Sequence, residues 1–472
     1  MAPALQRRII GTAAALAAAL GLAGCAVPLG SGFRIERQEL SAEYIPGPQP
    51  ALRVRAFWRV KNTGNQPLDA VEAGLPEAQS HARSELRVEV DGQTVPLPAI
   101  PSASVVHAAF PEPLAAGETR EIAVSYELRG TRNESAGTDV TKEGFILPPG
   151  DWAPVLLRPK GTFAASSDPP KKWQMSFRVP AGWRVHSSGT LKGVDRGKRD
   201  GAQSAVFRFT ETRAGNLPFA VGGAFQEEKL ETDGRAVIFW TRQMLPADTA
   251  QRAAETAAAA AEFYDQAFGA PPQEARTLWI IECPRSSACW PVPDAALVGS
   301  DINRSDAGPA LLRQVEQQLA PTWLDFQVHA DWDKEPLPMG AIADYAAELA
   351  AAAREGGDAR RKIVHELLDS YDYERARQPE PPVFSVMLSD PASARRFARL
   401  KSELFFFALE DEAGRDNLED ALRHLLRAYH GGVWRADDLR AAIEQEGGKE
   451  LAPLFRRWLV AAGVPEAFRS RY

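Results

Sequence analysis

Few residues in this 472-residue chain have both the type and the spacing that chemistry requires. His365, Glu366 and Asp369 fall within about one helical turn in "KIVHELLDSYDYE", a superficial metal pattern for which a solvated helix face is the plainer reading. His329, Asp331, Asp333 and Glu335 in "VHADWDKE" could hold a divalent cation weakly, although alternating acidic residues in a loop usually stay hydrated. Ser286 and Ser287 lack the Gly-x-Ser-x-Gly elbow of an activated serine. No glycine-rich phosphate loop or dinucleotide fingerprint occurs. The stretch 317–349, "QQLAPTWLDFQVHADWDKEPLPMGAIADYAAEL", has the rhythm of a catalytic helix pair but places Gln317, Gln318, Pro321 and Gly340 where chemically competent side chains would be needed.

The elements that position these residues divide the chain in two. After residue 32, runs such as "ALRVRAFWRVKN", "SELRVEVDGQTVPL", "TREIAVSYELRG", "KWQMSFRVP" and "SAVFRFTET" alternate apolar and polar residues between Gly, Pro, Asn and Asp, the pattern of half-buried strands. Residues 33–228 are therefore expected to form an antiparallel β-sandwich or saddle. Composition changes at "LPADTAQRAAETAAAAAEFYDQAFG", where Asp248 or Thr249 can cap an alanine-rich helix and Gly269 can end it. "ARTLWIIECP" has strand length, and helices are expected at about 308–320, 339–354, 358–372, 391–411, 415–429, 435–446 and 449–462. Residues 229–472 thus read as a mostly helical domain with a small sheet at its start, and Phe405, Phe406 and Phe407 read as its core. The whole is an α+β multidomain protein. A formal net charge of -7 leaves no broad basic footprint for nucleic acid.

The first 24 residues carry Arg7 and Arg8, an apolar stretch too short to span a bilayer and a small-residue run before Cys25, the layout of a secretory signal. Leu22-Ala23-Gly24-Cys25 resembles the bacterial lipobox, which implies lipidation of Cys25, removal of residues 1–24 and a tether over 25–32. Membrane contact is then expected through a lipid anchor in the cell envelope. Ala26 after the cysteine points to the outer membrane, facing the periplasm, if the cell is Gram-negative. In that oxidising compartment Cys283 and Cys289 are expected to pair as a disulfide, since nearby His or thiolate partners for a metal are lacking.

The order of segments resembles the aminopeptidase N family of gluzincin metallopeptidases, including its leukotriene A4 hydrolase branch. "KWQMSFRVPAGWRVHSSGTLKG", "VIFWTRQMLPADTAQRAAETAAAAAEFYDQAFGAPP" and "LEDALRHLLRAYHGGVWRADDLRAAIEQEGGKELAPLFRRWLVAAGVP" carry the likeness, which covers roughly residues 40 to 465. It implies a β-saddle followed by a thermolysin-like domain. An active member has His-Glu-x-x-His on one helix and a glutamate nineteen residues beyond the second His, so that two imidazoles and a carboxylate hold Zn²⁺ while the motif's Glu activates water. Leu319, Ala320, Trp323, Val328, Trp332, Ala343 and Tyr345 set the register, and it places Gln317 and Pro321 at the two His positions, Gln318 at the general base and Gly340 at the distal Glu. Arg399 stands at the position of the transition-state Tyr, and the segment near "SSACWPVPDAALVGS" has no Glu for a substrate amine.

The resemblance thus implies a pseudopeptidase with no metal or other cofactor. Gln317, Gln318 and Arg399 are candidates for binding a peptide or protein partner, Arg399 by a fork onto a carboxylate. Two alternatives stay open: a metallo-aminopeptidase acting through unrecognised ligands, and a structural lipoprotein whose cleft is filled.

Overall fold

A computed structural model of the chain describes residues 32–75, 83–96, 105–129, 138–149, 152–157, 173–199, 201–211, 218–271, 277–283, 289–303, 308–330, 340–383 and 392–472. Cys25, Ser286, Ser287, Asp331, Trp332, Asp333 and Glu335 lie outside them, as does the side chain of His329.

The first half is strand after strand. β1 (Phe33–Ile45), β2 (Ala51–Asn62), β4 (Arg83–Val90), β5 (Gln93–Thr94), β7 (Thr119–Arg129), β11 (Trp173–Pro180), β13 (Thr190–Arg199) and β14 (Ala202–Glu211) form one eight-stranded sheet in the order β13-β14-β11-β1-β2-β7-β4-β5. β2 shows why this sequence makes a sheet: Val54, Ala56, Trp58 and Val60 are fully buried, while Arg53, Arg55 and Arg59 between them face water. Two smaller sheets complete this half. One joins β10 (Val155–Leu157), β3 (Leu68–Gly74) and β6 (Val105–Leu114); the other joins β12 (Arg184–Ser187), β15 (Ala220–Gly223), β9 (Gly144–Leu147) and β8 (Asp139–Val140).

The expected all-antiparallel arrangement needs correction at one place. β1 and β11 run parallel, with Gln38 opposite Trp173 and Glu43 opposite Arg178. A hairpin forces antiparallel pairing, whereas the long excursion between these two strands lets β11 return in either sense.

The second half opens with a sheet that is mixed for the same reason. β16 (Gln226–Thr232) and β17 (Arg235–Thr241) form a hairpin, and helix α1 (Ala247–Phe268) then crosses over so that β18 (Thr277–Glu282) and β19 (Ala295–Val298) continue in parallel. The position 228/229 falls inside β16. The alanine run of α1 has a packing role: Ala253, Ala254, Ala257, Ala258, Ala260 and Ala261 are buried, and these short side chains let neighbouring elements approach closely. Neither Asp248 nor Thr249 caps this helix. Pro246 is the N-cap residue and its carbonyl accepts from Thr249 and Ala250, while Asp248 sits in the first turn, where its charge favours the helix dipole.

The remaining helices are α2 (Gly308–Trp323), α3 (Gly340–Glu355), α4 (Ala359–Arg377), α5 (Ala392–Ala413), α6 (Arg415–Ala428), α7 (Ala436–Gly447), α8 (Ala452–Leu459) and α9 (Glu466–Arg469). Phe405, Phe406 and Phe407 are buried in their common core, as expected. Among the described residues no helix is long and apolar enough to cross a membrane.

A third cluster joins the halves. Ile146, Phe219 and Val221 from the strand-rich half pack with Trp240, Ile281, Cys283, Cys289 and Leu297. His186 on β12 sits among Phe219, Trp240 and Trp279, with ring centroids 5.7, 6.3 and 5.2 Å away.

Candidate functional site

The residues singled out in the sequence converge where α2, α3 and α5 meet. Gln317 and Gln318 lie in the last two turns of α2, Gly340 is the first residue of α3 and Arg399 lies in the second turn of α5. Pro321 does not stop α2 at once. The helix runs two residues further, to Trp323, and the Pro321 carbonyl then accepts from Leu324 and Phe326 as the chain turns away. A proline within its final turn removes one backbone donor there, a cost the tertiary anchors of this helix must offset. Tyr264 donates to the Glu316 carbonyl at 2.9 Å, Trp323 donates to Asp265 at 2.8 Å, and Arg354 grips the Glu316 carboxylate with two bonds of 2.7 and 3.0 Å.

Each of the candidate binding side chains is engaged within the protein. Gln317 donates its amide to Glu348 at 3.3 Å. Gln318 donates to the backbone carbonyl of Cys289 at 3.2 Å, and its own amide oxygen has no partner among the described residues. Arg399 forks onto Asp344, Nε to one carboxylate oxygen and Nη2 to the other, the second bond 2.5 Å long. The fork expected for a partner's carboxylate is thus closed on a residue one helical turn beyond Gly340.

Gly340 has a specific reason to be small. A Cβ on it would lie 3.3 Å from the Arg399 guanidinium carbon and 3.5 Å from Nε and Nη1, so any larger side chain would press on the group. The Arg399 side chain keeps 48% of its surface accessible, so the fork onto Asp344 lies where solvent still reaches the guanidinium.

Acidic groups that sequence reasoning did not single out line the same region. Glu403, one turn after Arg399, is 5% exposed; burial first, then Asp344 and Glu348, push its carboxyl well above the usual range. Asp325, just past α2, is pushed up to about 7, mainly by burial and further by Asp344, with Arg399 pulling the other way. Glu348 is raised chiefly by burial and faces Arg313 at 3.4 Å. A signal was available: Asp344 and Glu348 recur at four-residue spacing from Gly340 on an otherwise alanine-rich helix, and Glu403 follows Arg399 at the same interval.

Cys283 and Cys289 are joined by a disulfide with Cα atoms 6.4 Å apart, and through the Cys289 carbonyl this bridge is tied to Gln318. His365, Glu366 and Asp369 lie on the exposed face of α4, with Glu366 accepting from Arg313. No group of three or more potential metal-binding side chains occurs among the described residues.

By sequence the chain matches no family model and no curated relative. Its fold is that of the M1 zinc metallopeptidases. The structure of the M1 zinc metallopeptidase from Deinococcus radiodurans superposes with a TM-score of 0.63 at 18% identity, covering 92% of this chain and 95% of that one. A point mutant of that enzyme bound to a Tyr-Ser-Ala substrate gives 0.63 at 19% identity over 92% and 96% of the two chains. A two-domain M1 zinc metallopeptidase mutant bound to L-arginine, at 17% identity, gives 0.63 over 92% and 95%.

Zinc, which this fold family implies, does not fit the side chains that stand at these positions. Amide oxygens are poor Zn²⁺ ligands, Pro321 and Gly340 bring no side-chain donor, and the space beside Gly340 is taken by a guanidinium cation.

Proposed function

We propose that this chain is a lipid-anchored protein of the bacterial cell envelope that uses the M1 peptidase fold without hydrolysing peptides, and that it acts by binding a peptide or protein partner. The observation that carries the reading is the Arg399 guanidinium packed against Gly340 and forked onto Asp344. A fixed positive charge in that place opposes a divalent cation by like-charge repulsion, and it occupies the Asp344 carboxylate that could otherwise serve as a ligand. Without the metal there is neither an activated water nor a polarised carbonyl, and Gln318 is no substitute, since an amide does not accept a proton near neutral pH.

Anchoring rests on Cys25, in the lipobox-like Leu22-Ala23-Gly24-Cys25. Acyl chains on that residue contribute about 0.8 kcal/mol per buried CH₂, and two or more chains hold a protein on a bilayer without a spanning helix. A Cys25→Ser protein is expected to leave the membrane fraction. Fractionation with membranes in its processed form overturns the anchor.

The decisive measurement is the metal content of the purified protein together with aminoacyl-substrate turnover in the presence of added Zn²⁺. Neither stoichiometric metal nor turnover is expected, and restoring Gln317→His, Gln318→Glu and Gly340→Glu should still fail while Pro321 remains. Metal-dependent turnover by the wild-type protein, abolished by Gln318→Ala, overturns the reading. A second reading, a structural lipoprotein with a filled cleft, draws on the inward pairing of Gln317 and Gln318. Affinity capture from solubilised membranes separates the two: a partner lost on substituting Arg399, Gln317 and Gln318 places binding at this site.

A further inference from the structure

We infer that the Arg399 guanidinium is a built-in counter-ion for Asp344, seated in a space that the absence of a side chain at Gly340 opens. The inference deepens the reading above, in that it treats the site where α2, α3 and α5 meet as the vestige of a catalytic cleft. It stands on the packing of α3 against α5 and on the charges that meet there.

Packing comes first. α3 presents Gly340 and Asp344 one turn apart on the same face, and the Arg399 side chain crosses from α5 to meet both. Gly340 has no left-handed backbone angle to explain its identity. What a side chain there would meet is the planar guanidinium, at 3.3 to 3.5 Å from the would-be Cβ, which is closer than ordinary contact for its carbon. The glycine and the arginine therefore fit as a pair, one giving up the volume that the other fills.

Charge gives the second argument. Asp344, Asp325 and Glu403 all favour the cationic form of Arg399 against the opposing effect of burial. The fork gives Arg399 both oxygens of Asp344, while burial pushes the carboxyls of Glu403 and Asp325 upward, the latter to about 7. An arginine suits this role better than a lysine. Its planar donors meet two carboxylate oxygens at once, while Nη1 still points along Gly340.

The test is a double-mutant cycle on the full chain, read as thermal midpoints of Gly340→Leu, Arg399→Ala and the double variant. If the guanidinium occupies the space beside Gly340, Gly340→Leu lowers the midpoint in the wild-type background and loses at least half of that effect once Arg399 is gone. Strict additivity overturns the inference. Should the leucine variant fail to fold, Gly340→Ala replaces it, with the same sign and a smaller shift. The charge is tested separately with guanidinium chloride at low millimolar concentration, against sodium chloride of equal ionic strength. Arg399→Ala should gain stability from guanidinium while wild type and Arg399→Lys do not, and no response from Arg399→Ala counts against a cation seat. Zinc content of the wild-type protein is independent of these readings: bound zinc defeats the proposed function, whereas additivity or lack of rescue defeats only this inference.

Discussion

The large sheet and the helical core differ in how deeply their ion pairs are buried. On the large sheet, arginines and carboxylates are laced across a face open to water, as in Arg55 with Glu89 at 3.3 Å and Arg208 with Asp195. In the helical half one pair is enclosed, Lys401 fully buried with Glu380, and the half-exposed Arg399 forks onto the more buried Asp344. The physical stakes differ accordingly. An exposed pair trades water for a partner at little gain, whereas an enclosed one has no water to return to when its partner is removed. The protein therefore concentrates its electrostatic sensitivity in the helical half, where the Gln317, Gly340 and Arg399 positions also lie.

That contrast can be broken most forcefully at Lys401. Its ammonium is shared between the Glu380 carboxylate and the Ala461 carbonyl, the latter at 2.5 Å, and Glu380 also accepts from Tyr371 at 2.7 Å and from the Gly463 backbone at 2.7 Å. Lys401→Met leaves a buried carboxylate without its cation and is expected to cost about 3–5 kcal/mol in denaturant unfolding. A loss under about 1 kcal/mol, the range of exposed pairs, would erase the distinction between the halves.

The seam between the halves supplies the next largest effect. His186 is held neutral, its pKa lowered to about 4, chiefly because the aromatic pocket desolvates the ring; a bond to the Pro293 backbone carbonyl pulls weakly the other way. Above the unfolded value near 6.5 neither state binds the proton, so no stability is lost. As pH falls from there towards 4 the unfolded chain takes up a proton that the folded state refuses, and about 3 kcal/mol is progressively lost. His186→Phe should flatten this part of the stability profile. A profile with the same slope in the variant assigns the acid sensitivity elsewhere.

Asp325 tests the neighbourhood of the candidate site with the opposite sign. Its folded pKa, about 7, lies above the unfolded one, so the stability this group contributes is complete below about pH 4 and is lost as pH rises through 7. Asp325→Asn imitates the protonated form. It should match wild type at pH 4 and exceed it by about 1–3 kcal/mol at pH 8, as read from urea midpoints. The smallest change is expected on the open sheet, where Arg208→Ala or Asp195→Ala should shift stability by less than about 1 kcal/mol, and less again in high salt.

Much of the architecture was legible because it rests on local patterns. Period-two alternation in "ALRVRAFWRVKN" gave β2 its limits, 51–62, and the apolar spacing after residue 308 gave the order of the helices that follow. Helix ends were less legible. Asp248 and Thr249 have the composition of caps, yet the chain enters α1 from Pro246, whose fixed backbone sets the first turn without a side-chain bond. The parallel pairing of β1 with β11 was invisible for another reason, since alternation records which face is buried and says nothing of strand direction.

At the candidate site, residue identity alone determined that Gln317, Gln318, Pro321 and Gly340 bring no strong zinc ligand, because ligand chemistry is a property of the side chain wherever it lies. The sequence also placed Arg399 near them through the resemblance, but there it looked like a free fork awaiting a carboxylate. Only the tertiary structure decided what that fork holds. Asp344 lies fifty-five positions away in the chain, and no local pattern links the two residues. The packing of α3 against α5 joins them: it brings the guanidinium within reach of both Asp344 oxygens, and the glycine at 340 leaves room for the planar group beside the helix.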